Sequence, residues 1–445
     1  MPAPDAPAAW RAAEAGEAAW PASGWWQGFA SPELDGLIAD ARSANFDIAA
    51  AAARVRQADA QLAIAGGALL PSVTASADAS WNRATARKIG GITGKNIESR
   101  SYQLGPAVSW ELDIWGRVAA SRDAALSSAL ASRFDRESVA LSTTAAVAAT
   151  WFQALALQDR VDIATRNLGD ADAIQRAIRA RQEAGTASAL DVAQQGALVA
   201  GIRAQIPALK SQLEQQVIAL GLLTGRAPAA IAVRPGTLTA LALPPVRPGL
   251  PSALLARRPD VAAAEARLRA SGGNIKVARA AFFPTVALTG SAGFQSLALG
   301  SLFGPGSLFA NTALSAAQVV FDNGRTAAQV ALTEAQFDEL AANYRKAVLQ
   351  AFTDVDTSAA AFRYASEQEL LMRDAVRVAQ LAADIASEQV RAGTSDIVNA
   401  LQAQTTLFND LDQLAQIRLA RFQALLSLYK ALGGGWTMED VAGVP

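Results

Sequence analysis

Two periods of apolar and polar residues divide this chain. From Ser72 onward the side chains alternate. Val73, Ala75, Ala77, Ala79 and Trp81 fall on one side, and Ser72, Thr74, Ser76, Asp78, Ser80 and Asn82 on the other. Beyond the glycines Gly90, Gly91 and Gly94 the alternation resumes. Tyr102, Leu104, Pro106, Val108, Trp110, Leu112 and Ile114 oppose Gln103, Gly105, Ser109, Glu111 and Asp113. A period of two belongs to a β-strand, so 71–114 is read as a β-hairpin with one apolar and one polar face. From Arg117 to Glu183 the alternation stops. That stretch has no proline, has Gly169 as its one glycine, and is rich in residues that helices favour or tolerate. At 1.5 Å per residue it predicts a rod of roughly 100 Å. Ala184-Gly185-Thr186 breaks it, and Ser188 to Leu223 predicts a returning helix interrupted only by Pro207.

The pattern occurs twice. A shift of 208 residues carries Arg117 onto Arg325, Gly185-Thr186 onto Gly393-Thr394 and Gly225 onto Gly433. A shift of 213 carries Asp47 onto Asp260 and Pro71 onto Pro284. Recurrence at a fixed period marks a tandem duplication. The layout expected is an extended arm (1–30) rich in Pro, Ala and Trp, then repeat 1 (31–225). Repeat 1 has helices over 31–67, the β-hairpin over 71–114 and a helical hairpin over 117–225. A Pro-rich linker (226–250) leads to repeat 2 (251–433), with a helix over 252–283, a β-hairpin over 284–321 and a helical hairpin over 325–433. A tail (434–445) closes the chain. In repeat 2, Val286, Leu288, Ala292 and Phe294 oppose Thr285, Thr289, Ser291 and Gln295, whereas the fourth strand, about Leu308 to Phe321, alternates too poorly to assign its faces.

Strands of ten or more residues with aromatic rings near their ends fit a membrane β-barrel. A half-buried soluble sheet fits any single hairpin equally well, but the recurrence and the scarcity of covering segments favour the barrel. Four strands cannot close, and open edges cannot face lipid. Two chains would supply eight strands and three would supply twelve; the arithmetic does not choose. Of the interface candidates, Trp81 and Tyr102 are read as headgroup anchors, and Trp110 as either an anchor or a base-packing residue. Asp78, Glu111 and Asp113 share the polar parity and are expected to face water.

Composition narrows the chemistry. Cysteine and histidine are absent and there are three methionines. This removes disulfides, thiol and imidazole catalysis, and the usual zinc and soft-metal ligands. No cofactor or metal site is expected, and an enzyme has no support. A net charge of −1 gives no reason to expect nucleic-acid binding. No transmembrane helix is expected; the nearest apolar run, Ala145 to Leu157, is short. A soluble scaffold of long helical hairpins accounts for 117–225 but not for the repeated strands.

Leu254-Leu255-Ala256-Arg257-Arg258-Pro259-Asp260-Val261, followed by Ala264-Glu265, resembles the signature of the OprM-like (NodT) branch of the TolC-type outer-membrane efflux proteins. Leu70-Pro71-Ser72, Phe283-Pro284, Phe321-Asp322-Asn323-Gly324-Arg325 and the two Ala-Gly-Thr tips agree with it, over roughly Trp20 to Trp436. The resemblance implies a mainly α chain with a membrane β-barrel, assembled as a homotrimer with a 12-stranded β-barrel and a 12-helix periplasmic α-barrel. It implies a passive exit duct in the outer-membrane lipid, docked to a periplasmic adaptor (membrane fusion) protein and an RND inner-membrane pump. A type I protein secretion channel is the alternative duct. Many members have an acylated N-terminal cysteine after signal cleavage; neither signal peptide nor lipidated cysteine is expected in this sequence, which is read either as trimmed of them or as an unlipidated member.

The resemblance also implies roles for residues. The tips Gly185, Thr186, Gly393 and Thr394, with Arg181 and Arg391 beside them, would meet the adaptor; a plain helical turn is the alternative. The segment after the second tip would form the periplasmic gate. There Val398 and Gln402 lie one helical turn apart, and Asn399 and Gln402 stand where relatives often carry aspartates. Asp191 and Gln195 occupy the matching region of repeat 1, and Asp191 is expected to supply any cation dependence. A solvated helix face is the alternative for all of these.

Overall fold

The computed structural model describes residues 6–12, 20–84, 97–392, 394 and 397–438, with the backbone alone at Ile97 and Arg391. The element order runs twice through helices, two strands and two long helices. Helices α1 (Pro32–Ala44) and α2 (Phe46–Gly67) precede strands β1 (Ser72–Ala84) and β2 (Ile97–Leu112). Helices α3 (Arg117–Glu183) and α4 (Ala189–Leu223) complete the first repeat. The second repeat has α5 (Pro251–Leu254), α6 (Pro259–Ala280), β3 (Thr285–Ser296), β4 (Leu308–Ala317), α7 (Arg325–Ala392) and α8 (Ile397–Ala431). The chain separates into two compact units, each drawing on both repeats. One comprises Met1–Ala53, Arg133–Ala263 and Arg345–Pro445; the other comprises Arg54–Ser132 and Ala264–Tyr344.

The first unit is helical. Its core gathers Phe152, Trp151, Val147 and Leu155 of α3, Leu34 and Ile38 of α1, Leu220 of α4 and Leu425 of α8. The apolar run 145–157 is thus core. It belongs to α3, which is long and apolar enough in one stretch to cross a membrane by length and composition. The N-terminal arm corrects an expectation. Trp25 and Phe29 form a short helical turn and are buried, with Trp25 stacked on Tyr429 at 5.0 Å. Aromatic rings of this size are core material wherever the backbone carries them close enough. Farther back, Trp10 donates to the Gly249 carbonyl, and Asp356 accepts from the amides of Arg11 and Ala12 at 2.9 and 3.0 Å.

The repeats join their helices by one device. Gly225 and Gly433 end α4 and α8 with φ of +68° and +86°. A Cβ on Gly225 would lie 2.2 Å from the Ala44 carbonyl oxygen, and one on Gly433 1.9 Å from that of Arg257. Only glycine tolerates both the conformation and the approach. The helix expected over 252–283 is broken: Arg258 is extended (φ −111°, ψ 118°) between α5 with its short 3-10 extension and α6. Pro259 drives its predecessor out of the helical region. Pro207, in contrast, leaves α4 continuous.

The second unit contains the sheet, in the order β1-β2-β3-β4 with every neighbour antiparallel. Val73 pairs with Val108, Trp110 with Leu288, and Leu288 with Leu314. Parity is therefore kept across all four strands. This assigns the fourth strand: Leu308, Ala310, Thr312, Leu314 and Ala316 share the apolar face, while Asn311 and Ser315 lie opposite Ser291 and Ala287 on the polar one. The strand stops at Ala317, short of the expected Phe321. Gly105 and Gly293 let two strands approach; a Cβ on either would sit 2.1 or 2.2 Å from a carbonyl oxygen of the other strand.

Candidate functional site: barrel faces, hairpin tips and gate

The sheet has the dimensions of a membrane span. Trp110 and Tyr102 lie on the same face of β2, eight residues apart, about 26 Å along the strand and about 20 Å of height at barrel tilt, close to the roughly nine to eleven residues a tilted membrane strand needs. An outward apolar band of about 25 Å flanked by aromatic rings is the mark of outer-membrane barrels. At the base, Trp110 Nε1 donates to the Leu69 carbonyl at 3.0 Å, and Trp115 stacks on Phe283 at 4.8 Å. Trp81, opposite Arg100 near the far end, is 60% exposed. The polar face carries Asp78 opposite Gln103, and Gln103 opposite Gln295. Two carboxylates expected simply to face water have local tasks. Glu111 takes two hydrogen bonds from Arg117 at 2.6 and 2.9 Å, and Asp113 accepts from the Val118 and Ala119 amides, capping α3.

At the first tip Gly185 has φ +78°. The Thr186 amide donates to Arg181 O at 2.8 Å, and the Gly185 amide to Gln182 O at 2.9 Å, the paired bonds of a Schellman turn. The Thr186 hydroxyl adds a third bond to Arg181 O. Thr394 repeats this, its amide and hydroxyl both donating to Gln389 O. Gly393 and the Arg391 side chain lie outside the described residues. Arg181 Nη1 donates to Val390 O at 3.2 Å, so part of that guanidinium already fastens the α3 end to the α7 end.

The residues expected at the gate divide. On α8, Val398, Asn399 and Gln402 lie on the exposed side, while Ile397, Ala400 and Gln404 are buried. Val398 and Gln402, one helical turn apart, are both exposed. On α4 the two residues part company. Asp191 forms a capping box with Ser188: Asp191 Oδ2 accepts from the Ser188 amide, and Ser188 Oγ from the Asp191 amide. Gln195 is fully buried and donates to Ala171 O of α3 at 2.8 Å. Gln195 is therefore withdrawn from any opening, contrary to the expectation. A backbone carbonyl on the facing helix holds its amide.

A charged cluster that the sequence reading did not single out lies between α7 and α8. The buried Glu369 accepts from Arg373, Arg418 (3.1 Å) and Arg421 (2.9 Å). Burial alone would raise its pKa, but the three guanidiniums outweigh that and hold it below the ordinary carboxylate range. Arg160 of α3 makes a two-pronged pair with Asp412 of α8 at 2.6 and 3.0 Å. Arg258, in the signature stretch, binds Asp260, Asp354 and the Ala431 carbonyl. Glu369 with Arg373 one helical turn on is the signal that could have located the first of these. Among the described residues no cluster suited to a metal ion is present.

A sheet of this height with apolar and polar faces, carried with helical hairpins of this length, defines a subunit of a membrane channel. The outer membrane efflux protein family matches the chain over 37–226 and again over 250–434. The pyoverdine export outer membrane protein OpmQ of Pseudomonas putida is 39% identical over 98% of this chain and 93% of the relative. Outer membrane protein OprJ of Pseudomonas aeruginosa is 33% identical over 92% and 86%. Among solved structures, the outer-membrane channel OprN superposes with a TM-score of 0.89 at 28% identity, covering 98% of this chain and 99% of that one. The open state of the Neisseria gonorrhoeae MtrE channel gives 0.86 at 28%, covering 96% and 95%.

The chain belongs to the outer membrane efflux protein family. Its place is the outer membrane, and its function is efflux across it.

Proposed function

We propose that the chain works as a homotrimer, each copy giving four strands to one twelve-stranded barrel and its helical hairpins to one periplasmic tunnel. The tunnel receives small molecules from an RND inner-membrane pump through a periplasmic adaptor. The cargo class is that of the curated relatives, small exported compounds such as the pyoverdine exported by OpmQ. The observation that carries this reading is the four-stranded sheet, lipid-matched on one face and polar on the other, with no further strand on β1 or β4 among the described residues. Such edges must pair before they can enter lipid.

The tips at Gly185-Thr186 and Gly393-Thr394 dock the adaptor. The gate is formed by the exposed α8 side at Val398, Asn399 and Gln402, with Asp191 nearby. Apolar packing and amide contacts close it rather than a ring of carboxylates. The test is single-channel conductance of detergent-purified protein in planar bilayers, with oligomer mass on the same sample. A trimer giving small discrete channels, enlarged several-fold by Val398→Gly with Gln402→Gly, is the expected result. A water-soluble monomer without channels overturns the duct, and an unchanged conductance in the double variant removes the gate from this face.

A further inference from the structure

The sheet fixes how one copy joins the next. Its edges are β1 and β4, which run in opposite directions, so β4 of one copy meets β1 of another antiparallel. Parity restricts the pairing: Leu308, on the apolar face, must lie opposite an apolar-face residue of β1, one of Val73 to Trp81 at alternate positions. The rows of partners also drift. Ala77 leads through Leu104 and Phe294 to Leu308, the far end of β4, while Val73 leads through Val108 and Gly290 to Thr312. A row that starts midway along β1 has reached the far end of β4, so the next β1 is met farther along still.

Strand tilt sets how far. Four strands occupy about 19 Å of sheet. A tilt of 35–45° then shifts the row by about 13 to 19 Å per copy, roughly four to six residues. Parity allows only an even shift, hence four or six. Either one pairs all of β4 within the length of β1. The side chains choose between them. Asn311 Oδ1 already accepts from Ser291 Oγ at 2.8 Å, which leaves its amide NH₂ to donate. A shift of four sets it opposite the Asp78 carboxylate and sets Leu308 opposite Trp81. A shift of six sets Asp78 opposite Ala313, which has no donor to offer it, and sets Leu308 opposite Arg83, which already pairs with Glu98 of β2, in place of the Trp81 ring.

We propose that β4 of one copy pairs with β1 of the next in the register Leu308–Trp81, Asn311–Asp78, Ala317–Ser72. An amide–carboxylate pair on the water side and a leucine–tryptophan pair on the lipid side then mark each seam. The register rests on the shared-barrel reading but not on the number of copies, because tilt acts strand by strand.

The chain has no cysteine, so introduced pairs report cleanly. Asp78→Cys with Asn311→Cys, and one residue away on the other face Ala79→Cys with Ala310→Cys, place a pair at a hydrogen-bonded and a non-hydrogen-bonded position. One of the two then has its Cβ atoms close enough to bridge. Oxidised protein from outer membranes is resolved by non-reducing electrophoresis, with native mass measured in parallel. The expected result is covalent dimer and closed trimer from these pairs. It forms at least fivefold faster than from Asn311→Cys with Ser80→Cys or with Ser76→Cys. Faster bridging by either of the latter pairs overturns the register. A trimeric mass with no bridge from any pair overturns pairing at these edges. A monomeric mass overturns the shared barrel itself.

Discussion

Where α3 packs on α4 in the first repeat, Leu157, Val161, Ala164, Leu209 and Leu213 gather into an apolar cluster. Shifted by 208 residues, the same positions in the second repeat are Ala365, Glu369, Met372, Ile417 and Arg421. There a buried carboxylate holds three arginines instead. The joint between short and long helices diverges in the same way. Asn45 Nδ2 donates to the Leu223 carbonyl at 2.9 Å, and the residue in its place, Arg258, donates to Ala431 O while pairing with Asp260 and Asp354. Yet Thr186 and Thr394 cap their tips with the same amide and hydroxyl bonds, and Gly225 and Gly433 close their joints alike. Duplicated backbones share the positions where main-chain groups must be satisfied and the chain must reverse. Between those points, an apolar cluster and an ionic one are alternative ways to hold two helices together.

The comparison is broken most severely at Glu369. Glu369→Val puts the first repeat's residue into the second and leaves three guanidiniums facing one another. We expect a loss of about 3–5 kcal/mol, the scale for stripping one partner from a buried pair, read as a fall in the thermal unfolding temperature of detergent-solubilised protein. Adding Arg373→Thr, Arg418→Lys and Arg421→Leu completes the exchange to the first repeat's residues and should recover most of the loss. Failure to recover would show that the ionic cluster is not interchangeable with packing.

The shared positions come next. Gly433→Ala and Gly225→Ala should each cost about 3 kcal/mol, from the left-handed conformation and the collision with a carbonyl together. Gly185→Ala, whose Cβ meets open space, should cost only about 1–2 kcal/mol by the same unfolding measurement. Equal losses at Gly185 and Gly433 would remove the close approach from the account.

The smallest effect is acidic. Because Glu369 is held below the ordinary carboxylate range, its contribution is complete above that range and is lost as pH falls through its depressed pKa. An unfolding series taken downward from pH 5 should therefore steepen in the parent. It should flatten in Glu369→Gln, which is neutral throughout.

Much of the fold was legible because each strong signal is local. The alternation from Val73 to Trp81, the unbroken helical composition of 117–183 and the glycine-threonine tips each state their own conformation. The misses came where distant chain segments decide. Trp25 and Phe29 looked like a solvated arm because nothing nearby says that Tyr429 and Phe152 wait for them. The faces of β4 became clear only through its partner β3, since Thr312 and Ala316 carry little hydropathy of their own. Gln195 resembled a lumen residue in repeat alignment, but its carbonyl partner lies on another helix. The Arg258-Pro259 break is locally legible in the proline, although the residues on either side of it favour a helix.

The first tip has a consequence for how partners are exchanged. Its turn is hydrogen-bonded to itself: the amides of Gly185 and Thr186 and the Thr186 hydroxyl are spent on Gln182 and Arg181 carbonyls. Few main-chain donors there are left for a visitor to engage. A protein that seats on such a knob is selected by contour, and contour changes slowly as surface residues drift. Were the proposed adaptor to seat there, surface drift on either protein could proceed without first rebuilding a matching set of main-chain donors.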